Sequence, residues 1–112
     1  MKVEHFINEK ILKVLITEEI DHHTASIIRT RLDYEIIRFR PQKVIIDLKN
    51  VKFMDSSGIG LIIGRYKNIQ NYGGILEIEN VNFNLMKIFN MSGLPKIIKF
   101  KNISTEELIC GL

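Results

Sequence analysis

The chain has 112 residues, of which 46% are hydrophobic and 26% charged, a balance that suits one folded domain and excludes a disordered or fibrous chain. Its formal net charge of +3 is spread along the sequence, with loose clusters only at Arg38/Arg40/Lys43 and Lys96/Lys99/Lys101, and no aromatic residues interleave with them as stacking platforms for nucleic acid would. Cys110 is the sole cysteine, so no intrachain disulfide can form; the N-terminus lacks a signal peptide's apolar core, and no apolar run approaches the ~20 residues of a membrane span. These features point to a protein of the reducing cytoplasm with no nucleic-acid or membrane partner.

In chain order, Val3 to Ile7 and Ile11 to Ile16 are β-prone runs separated by Asn8-Glu9-Lys10, which predicts a strand pair joined by a tight turn at one edge of a sheet. From Thr24 the apolar residues Ala25, Ile28, Leu32, Ile36 and Phe39 recur at steps of three and four. They predict a long helix that starts near Asp21 as cap or near-cap and stops before Pro41. Val44 to Leu48 is a compact β-branched run, expected as a central strand covered on both faces.

A second helix follows, with Ile59, Ile62, Ile63, Tyr66 and Ile69 as its expected buried stripe and Tyr72-Gly73-Gly74 as its end. Gly60 and Gly64 lie one turn apart away from that stripe, with Leu61 beside them, which predicts a smooth, partly apolar outer surface. Ile75 to Ile78 reads as a strand, Phe83 to Asn90 as a short helix ended by Gly93 and Pro95, Lys96 to Phe100 as a last strand, and Thr105 to Cys110 as a terminal helical turn capped by Ser104. Strands alternating with helices imply an α/β domain with a mixed sheet.

The richest chemistry lies in Phe53 to Tyr66, where Asp55-Ser56-Ser57-Gly58 stands between a strand region and a helix. At a helix start the first N–H groups lack partners and the dipole is positive, so an anionic group on Ser56 would be tolerated there. Two compatible readings of Ser56 follow: a helix N-cap, worth about 1 kcal/mol, or a phosphoacceptor whose modification adds about −1.5 to −2 charges. Asp55 reads equally as a turn residue holding backbone N–H groups or as an acid that orients the hydroxyl or meets a partner's base.

Other constellations are weaker. Asp21-His22-His23 supplies parts of a metal or nucleophilic site, but adjacent histidines point about a quarter-turn apart on a helix and Gly-x-Ser-x-Gly is absent, so the pair reads as surface or helix-start packing. Gly58, Gly60 and Gly64 form G-x-G-x-x-x-G without a Walker lysine. Eight residues separate Leu48 from Ser57 where a dinucleotide fold needs an immediate turn, which counts against a nucleotide cradle.

Three segments carry a family resemblance: Glu19-Ile20-Asp21-His22-His23-Thr24-Ala25, Phe53 to Tyr66, and Phe89-Asn90-Met91-Ser92-Gly93-Leu94 with Lys96-Ile97-Ile98. Together they resemble the STAS-domain anti-sigma factor antagonists over nearly the whole chain, in the sporulation branch of a spore-forming bacterium. The resemblance implies a single STAS domain over residues 1–112, a mixed four- to five-stranded sheet with flanking helices, and neither catalytic activity nor a cofactor or metal. It implies a module, monomeric when free, that binds an anti-sigma factor which is also a serine protein kinase and so frees a sigma factor. That kinase then phosphorylates the serine matching Ser56, with Ser57 the neighbouring alternative, and a serine phosphatase reverses the modification. The partner-binding residues implied are Asp21, His22, Asp55, Ser56, Ser57, Gly58, Gly60, Leu61 and Arg65. Glu18, Asn82-Phe83-Asn84 and Pro95 depart from the usual pattern, and none of them touches Ser56. A STAS subunit serving a different, stress-signalling kinase is the nearest alternative, and a small nucleotide-binding protein the alternative from another class.

Overall fold

Lys10 adopts a left-handed backbone (φ 56°) and its N–H donates to the Ile7 carbonyl at 3.2 Å, which turns the chain back on itself after the first strand. Strand β1 (Lys2–Phe6) thereby pairs antiparallel with β2 (Ile11–Leu15), as predicted. In the computed structural model, which describes residues 1–102, the chain continues through α1 (His22–Phe39), β3 (Lys43–Asp47), α2 (Ser56–Asn71), β4 (Ile75–Glu79), α3 (Phe83–Ser92), a 3-10 turn (Leu94–Lys96) and β5 (Lys99–Lys101). The sheet order is β1-β2-β3-β4-β5, with every pair after the first parallel, so the mixed sheet is five-stranded. No helix among the described residues is long and apolar enough to cross a membrane.

Because the strand order never reverses, right-handed crossovers put all three helices on one face of the sheet. The register shows the result. Leu12, Val44 and Leu76 form one row across the sheet and Val14, Ile46, Ile78 and Phe100 the next, and every member of β2, β3 and β4 in these rows is at most 3% exposed. From the helices, Ala25, Ile28, Leu32 and Ile36 of α1, Ile62 and Ile69 of α2, and Leu85 and Phe89 of α3 close this core. Phe89 meets Phe100 with ring centroids 5.0 Å apart.

The opposite face corrects the expectation that β3 is covered on both sides. Its rows read Lys13-Ile45-Glu77-Lys99 and Leu15-Asp47-Glu79-Lys101, and β3 alternates between buried and half-buried positions up to Ile46. Lys43 and Lys101 approach the Glu77 carboxylate at 3.3 and 3.4 Å, and Lys13 approaches Glu79 at 3.6 Å. A run rich in β-branched residues can still carry ion pairs on one side of its strand, because lysine stems are able to lie along aliphatic neighbours while their ammonium groups stay in water.

Helix ends follow local chemistry. Asp21 caps α1 and accepts from Thr24 N–H at 2.9 Å while Thr24 Oγ1 accepts from Asp21 N–H, so the helix begins at His22, ahead of the apolar stripe that opens at Ala25. Arg40 ends it in the left-handed region, ahead of Pro41. Asn82 caps α3, and Gly93, at φ 80°, stops it. The last strand starts later than the predicted Lys96, because Pro95 sits inside the 3-10 turn and the Ile97 and Ile98 N–H groups bond back to the Leu94 carbonyl. The predicted turn at Thr105 to Cys110 lies outside the described residues.

Burial pushes the Glu77 carboxyl up, but the hydrogen bond and charge of Lys43 together with the charge of Lys101 outweigh it and hold the group below the usual carboxylate value. A depressed folded-state pKa stabilises the fold above the unfolded value of about 4.3 and loses that contribution as pH falls through the folded value. Glu77→Gln is therefore expected to lower unfolding free energy near neutrality by about 1–3 kcal/mol. Denaturant titrations of the two proteins should converge as pH falls below about 4.

Candidate functional site

Strands β2 and β3 are parallel neighbours, so the loops leaving their carboxyl ends emerge side by side, and both loops lead into helices. They are fastened together. Ile20 and Met54 form a parallel β-bridge, with Ile20 N–H on the Phe53 carbonyl at 3.4 Å and Asp55 N–H on the Ile20 carbonyl at 3.2 Å. The Glu19 carboxylate accepts from the N–H groups of Lys52 (3.2 Å) and Phe53 (2.7 Å), and Thr24 Oγ1 donates to the Glu19 carbonyl at 2.7 Å. The starts of α1 and α2 are thereby held next to each other, each with an aspartate cap.

At α2 the cap is Asp55, whose Oδ1 accepts from Ser57 N–H at 2.8 Å. Ser56 is the first helical residue and not the N-cap, so one of its two sequence readings falls away. Its side chain is exposed, and among the described residues its hydroxyl takes part in no hydrogen bond. A carboxylate one residue earlier reaches the second helical N–H and leaves the serine hydroxyl with no structural task. Asp21 and His22 are likewise exposed at the start of α1, and the Thr24 hydrogen bonds hold the Asp21 carboxyl below the ordinary aspartate range.

Three candidate residues lie deeper than the sequence suggested. Gly58 is buried, and a Cβ there would sit 2.7 Å from Met54 Sδ and 3.3 Å from Ile20 Cγ2, so this glycine serves the bridge instead of cradling a phosphate. Leu61 and Arg65, expected on or beside an outer surface, are each only 6% exposed. The buried arc of α2 runs through Gly58, Leu61, Ile62, Arg65 and Ile69, while Ile59, Ile63 and Tyr66 are half-buried. The arc is displaced because α2 packs on α1 as well as on the sheet, a constraint that periodicity within one helix does not contain.

Between the two helices runs a groove of about 640 Å³. His22, Ala25, Ser26 and Arg29 line it from α1; Ser57, Gly60, Leu61, Gly64 and Arg65 line it from α2. Arg65 Nε lies 2.9 Å from Asp33 Oδ1. Burial draws the Arg65 guanidinium below the ordinary arginine range, with the Asp33 charge opposing and the Arg29 charge adding to the effect. Glu19, Arg29, Asp33 and Met54 all shape this site and were not singled out from sequence, because each acts through a residue 30 or more positions away, on another loop or helix or, for Arg29, across the groove. His22 and His23 belong to no cluster of three or more metal-ligating side chains among the described residues.

Gly58→Ala is expected to overpack the bridge and lower stability by about 1–3 kcal/mol in chemical denaturation. Glu19→Gln, which keeps the shape but removes the charge on two amide donors, should cost about 1 kcal/mol. Hydrogen exchange should quicken at Lys52 and Phe53 in the Glu19 variant and stay unchanged in the core of the sheet.

The STAS domain family profile matches residues 3–107. The chain is 40% identical to the anti-sigma F factor antagonist of Paenibacillus polymyxa over 98 residues, 88% of this chain and 82% of that protein. It is 35% identical to the anti-sigma-B factor antagonist of Bacillus subtilis over 91 residues, 81% of this chain and 82% of that protein. Its fold matches the structure of the Bacillus cell fate determinant SpoIIAA in the phosphorylated form with a TM-score of 0.73 at 27% identity, covering 96% of this chain and 95% of that one. With these likenesses, the paired helix starts and the five-stranded sheet, the chain belongs to the STAS-domain family of anti-sigma factor antagonists.

Proposed function

We propose that this protein is a non-catalytic, phosphorylation-switched anti-sigma factor antagonist. Unphosphorylated and monomeric, it binds an anti-sigma factor that is also a serine protein kinase and frees a sporulation sigma factor; phosphorylation of Ser56 ends the binding, and a serine phosphatase restores it. The observation that carries this reading is the exposed Ser56 hydroxyl, free of hydrogen bonds among the described residues, at the first position of a helix whose cap is another residue. The likeness to an anti-sigma F factor antagonist, and to a protein whose structure is known in a phosphorylated form, supports it. The 35% identity to an anti-sigma-B factor antagonist favours a second reading, in which the same switch serves a stress-signalling kinase.

Physical chemistry makes such a switch workable. A kinase can reach Ser56 without unfolding the helix, and the phosphate is tolerated because it sits at the positive end of α2. The same phosphate adds about −1.5 to −2 charges next to Asp55 and near the exposed Asp21, and so repels an acidic or apolar docking surface. In this reading Asp21, His22, Asp55, Ser56, Ser57 and Gly60 meet the partner directly, Gly58 holds the backbone under them, and Leu61 and Arg65 contribute through the floor of the groove.

Incubation with the anti-sigma kinase of the same organism and ATP is expected to add one phosphate to the protein and none to Ser56→Ala, read by intact mass. Incorporation retained in Ser56→Ala would move the site to Ser57 or elsewhere. Ser56→Asp should weaken kinase binding by about tenfold or more by titration calorimetry. Unchanged affinity would remove the electrostatic part of the switch.

A further inference from the structure

Two features of the α1–α2 groove, both on the face proposed above to meet the partner, are not accounted for by packing within the described residues. The first is the pair Gly60 and Gly64, interior to α2, where a Cβ would meet no atom of the described residues within 4 Å. Glycine inside a helix is destabilising relative to alanine, and nothing among the described residues crowds either position, in contrast to Gly58 and Gly74, whose surroundings leave no room for a side chain. The second is Arg65. Its side chain is only 8% exposed, it lines the groove, and its Nη1 is buried without a hydrogen-bond partner among the described residues. A buried donor left without an acceptor is unfavourable, so the site is incomplete as it stands.

Charge gives the sense of what is missing. Arg29 lines the same groove from α1 and forms no ion pair among the described residues, so two guanidinium groups are opposed by the single carboxylate of Asp33. The absent side chains at Gly60 and Gly64 leave room for another backbone to lie directly on α2. Through His22 and Ser57 the groove is continuous with the helix starts that carry Ser56.

We propose that the α1–α2 groove receives a helical segment of the docking partner whose backbone lies on Gly60 and Gly64 and whose acidic side chain accepts from Arg65 Nη1 and pairs with Arg29. This rests on the reading of the α2 start as a protein-docking face and adds the chemistry of the partner's contribution. The arrangement separates two electrostatic tasks: an attractive cationic groove that fixes register, and an acidic rim at Asp21 and Asp55 on which a phosphate acts.

The test has an arm that needs no natural partner. An alanine-rich helical peptide with glutamates four residues apart, its glutamine counterpart and inorganic phosphate would each be titrated into the isotope-labelled full chain. Saturable shifts at the Gly60 and Gly64 amides and at Arg65 Nε–H are expected with the glutamate peptide alone. No saturable shift, or equal shifts from the glutamine peptide, would overturn the proposal, and equal saturation by phosphate would make the groove a small-anion site instead. In the second arm, Gly60→Ala and Gly64→Ala should each raise the thermal midpoint yet weaken binding to the anti-sigma kinase by about tenfold or more. A raised midpoint with unchanged affinity would count against the proposal. Failure of the unsubstituted chain to bind the kinase would sink the docking reading instead, with the peptide titration still deciding the groove.

Discussion

The geometry of this protein hangs on a short piece of β-structure that belongs to no strand of the sheet. The Ile20–Met54 bridge, with Glu19 collecting two amide N–H groups from the facing loop, joins two connections that would otherwise be independent. Both loops leave parallel strands at the same end, so the bridge needs little reach, and together with the packing of α1 against α2 it fixes how the two helix starts stand to each other. Gly58 completes it from the α2 side, where Met54 and Ile20 occupy the space of a side chain. A partner that reads Asp21, His22 and Ser56 together is reading the product of this bridge.

Charge is distributed with equal economy. On the helix side of the sheet the packed rows are apolar, while the far side is cross-linked by lysine–glutamate contacts that tie β2, β3, β4 and β5 to one another. At the helix starts the pattern inverts: the exposed Asp21 and the half-buried Asp55 cap positive helix ends, and the exposed Ser56 hydroxyl makes no hydrogen bond among the described residues. A modification at Ser56 therefore changes the surface potential without removing a cap, which is the property a reversible switch needs. Had Ser56 been the cap, phosphorylation would have competed with the start of α2.

Much of the fold could be read from the amino acids because the relevant forces are local. The hairpin at Asn8–Lys10, the α1 stripe from Ala25 to Ile36, the Asp21 cap and the Gly93 stop all depend on residues within a few positions of one another. Where the reading failed, a distant neighbour had intervened. β3 carries a half-polar face because the lysines and glutamates of flanking strands come into register beside it. Likewise, the buried arc of α2 includes Arg65 because α2 packs on α1, where Asp33 lies 2.9 Å from the Arg65 Nε.

By itself, then, the sequence determined the order of strands and helices, the cap of α1, the chemical identity of the Asp55-Ser56-Ser57-Gly58 segment and the family resemblance, all of which are properties of contiguous residues and their spacing. Tertiary structure alone decided that Asp55 and not Ser56 caps α2, that Gly58, Leu61 and Arg65 turn inward, and that Gly60 and Gly64 floor a groove with Arg29 across from them. The physical reason is that burial and electrostatic pairing are set by which surfaces meet. That depends on the bridge between two loops and on the packing of α1 against α2, whose contacts join residues more than 30 positions apart.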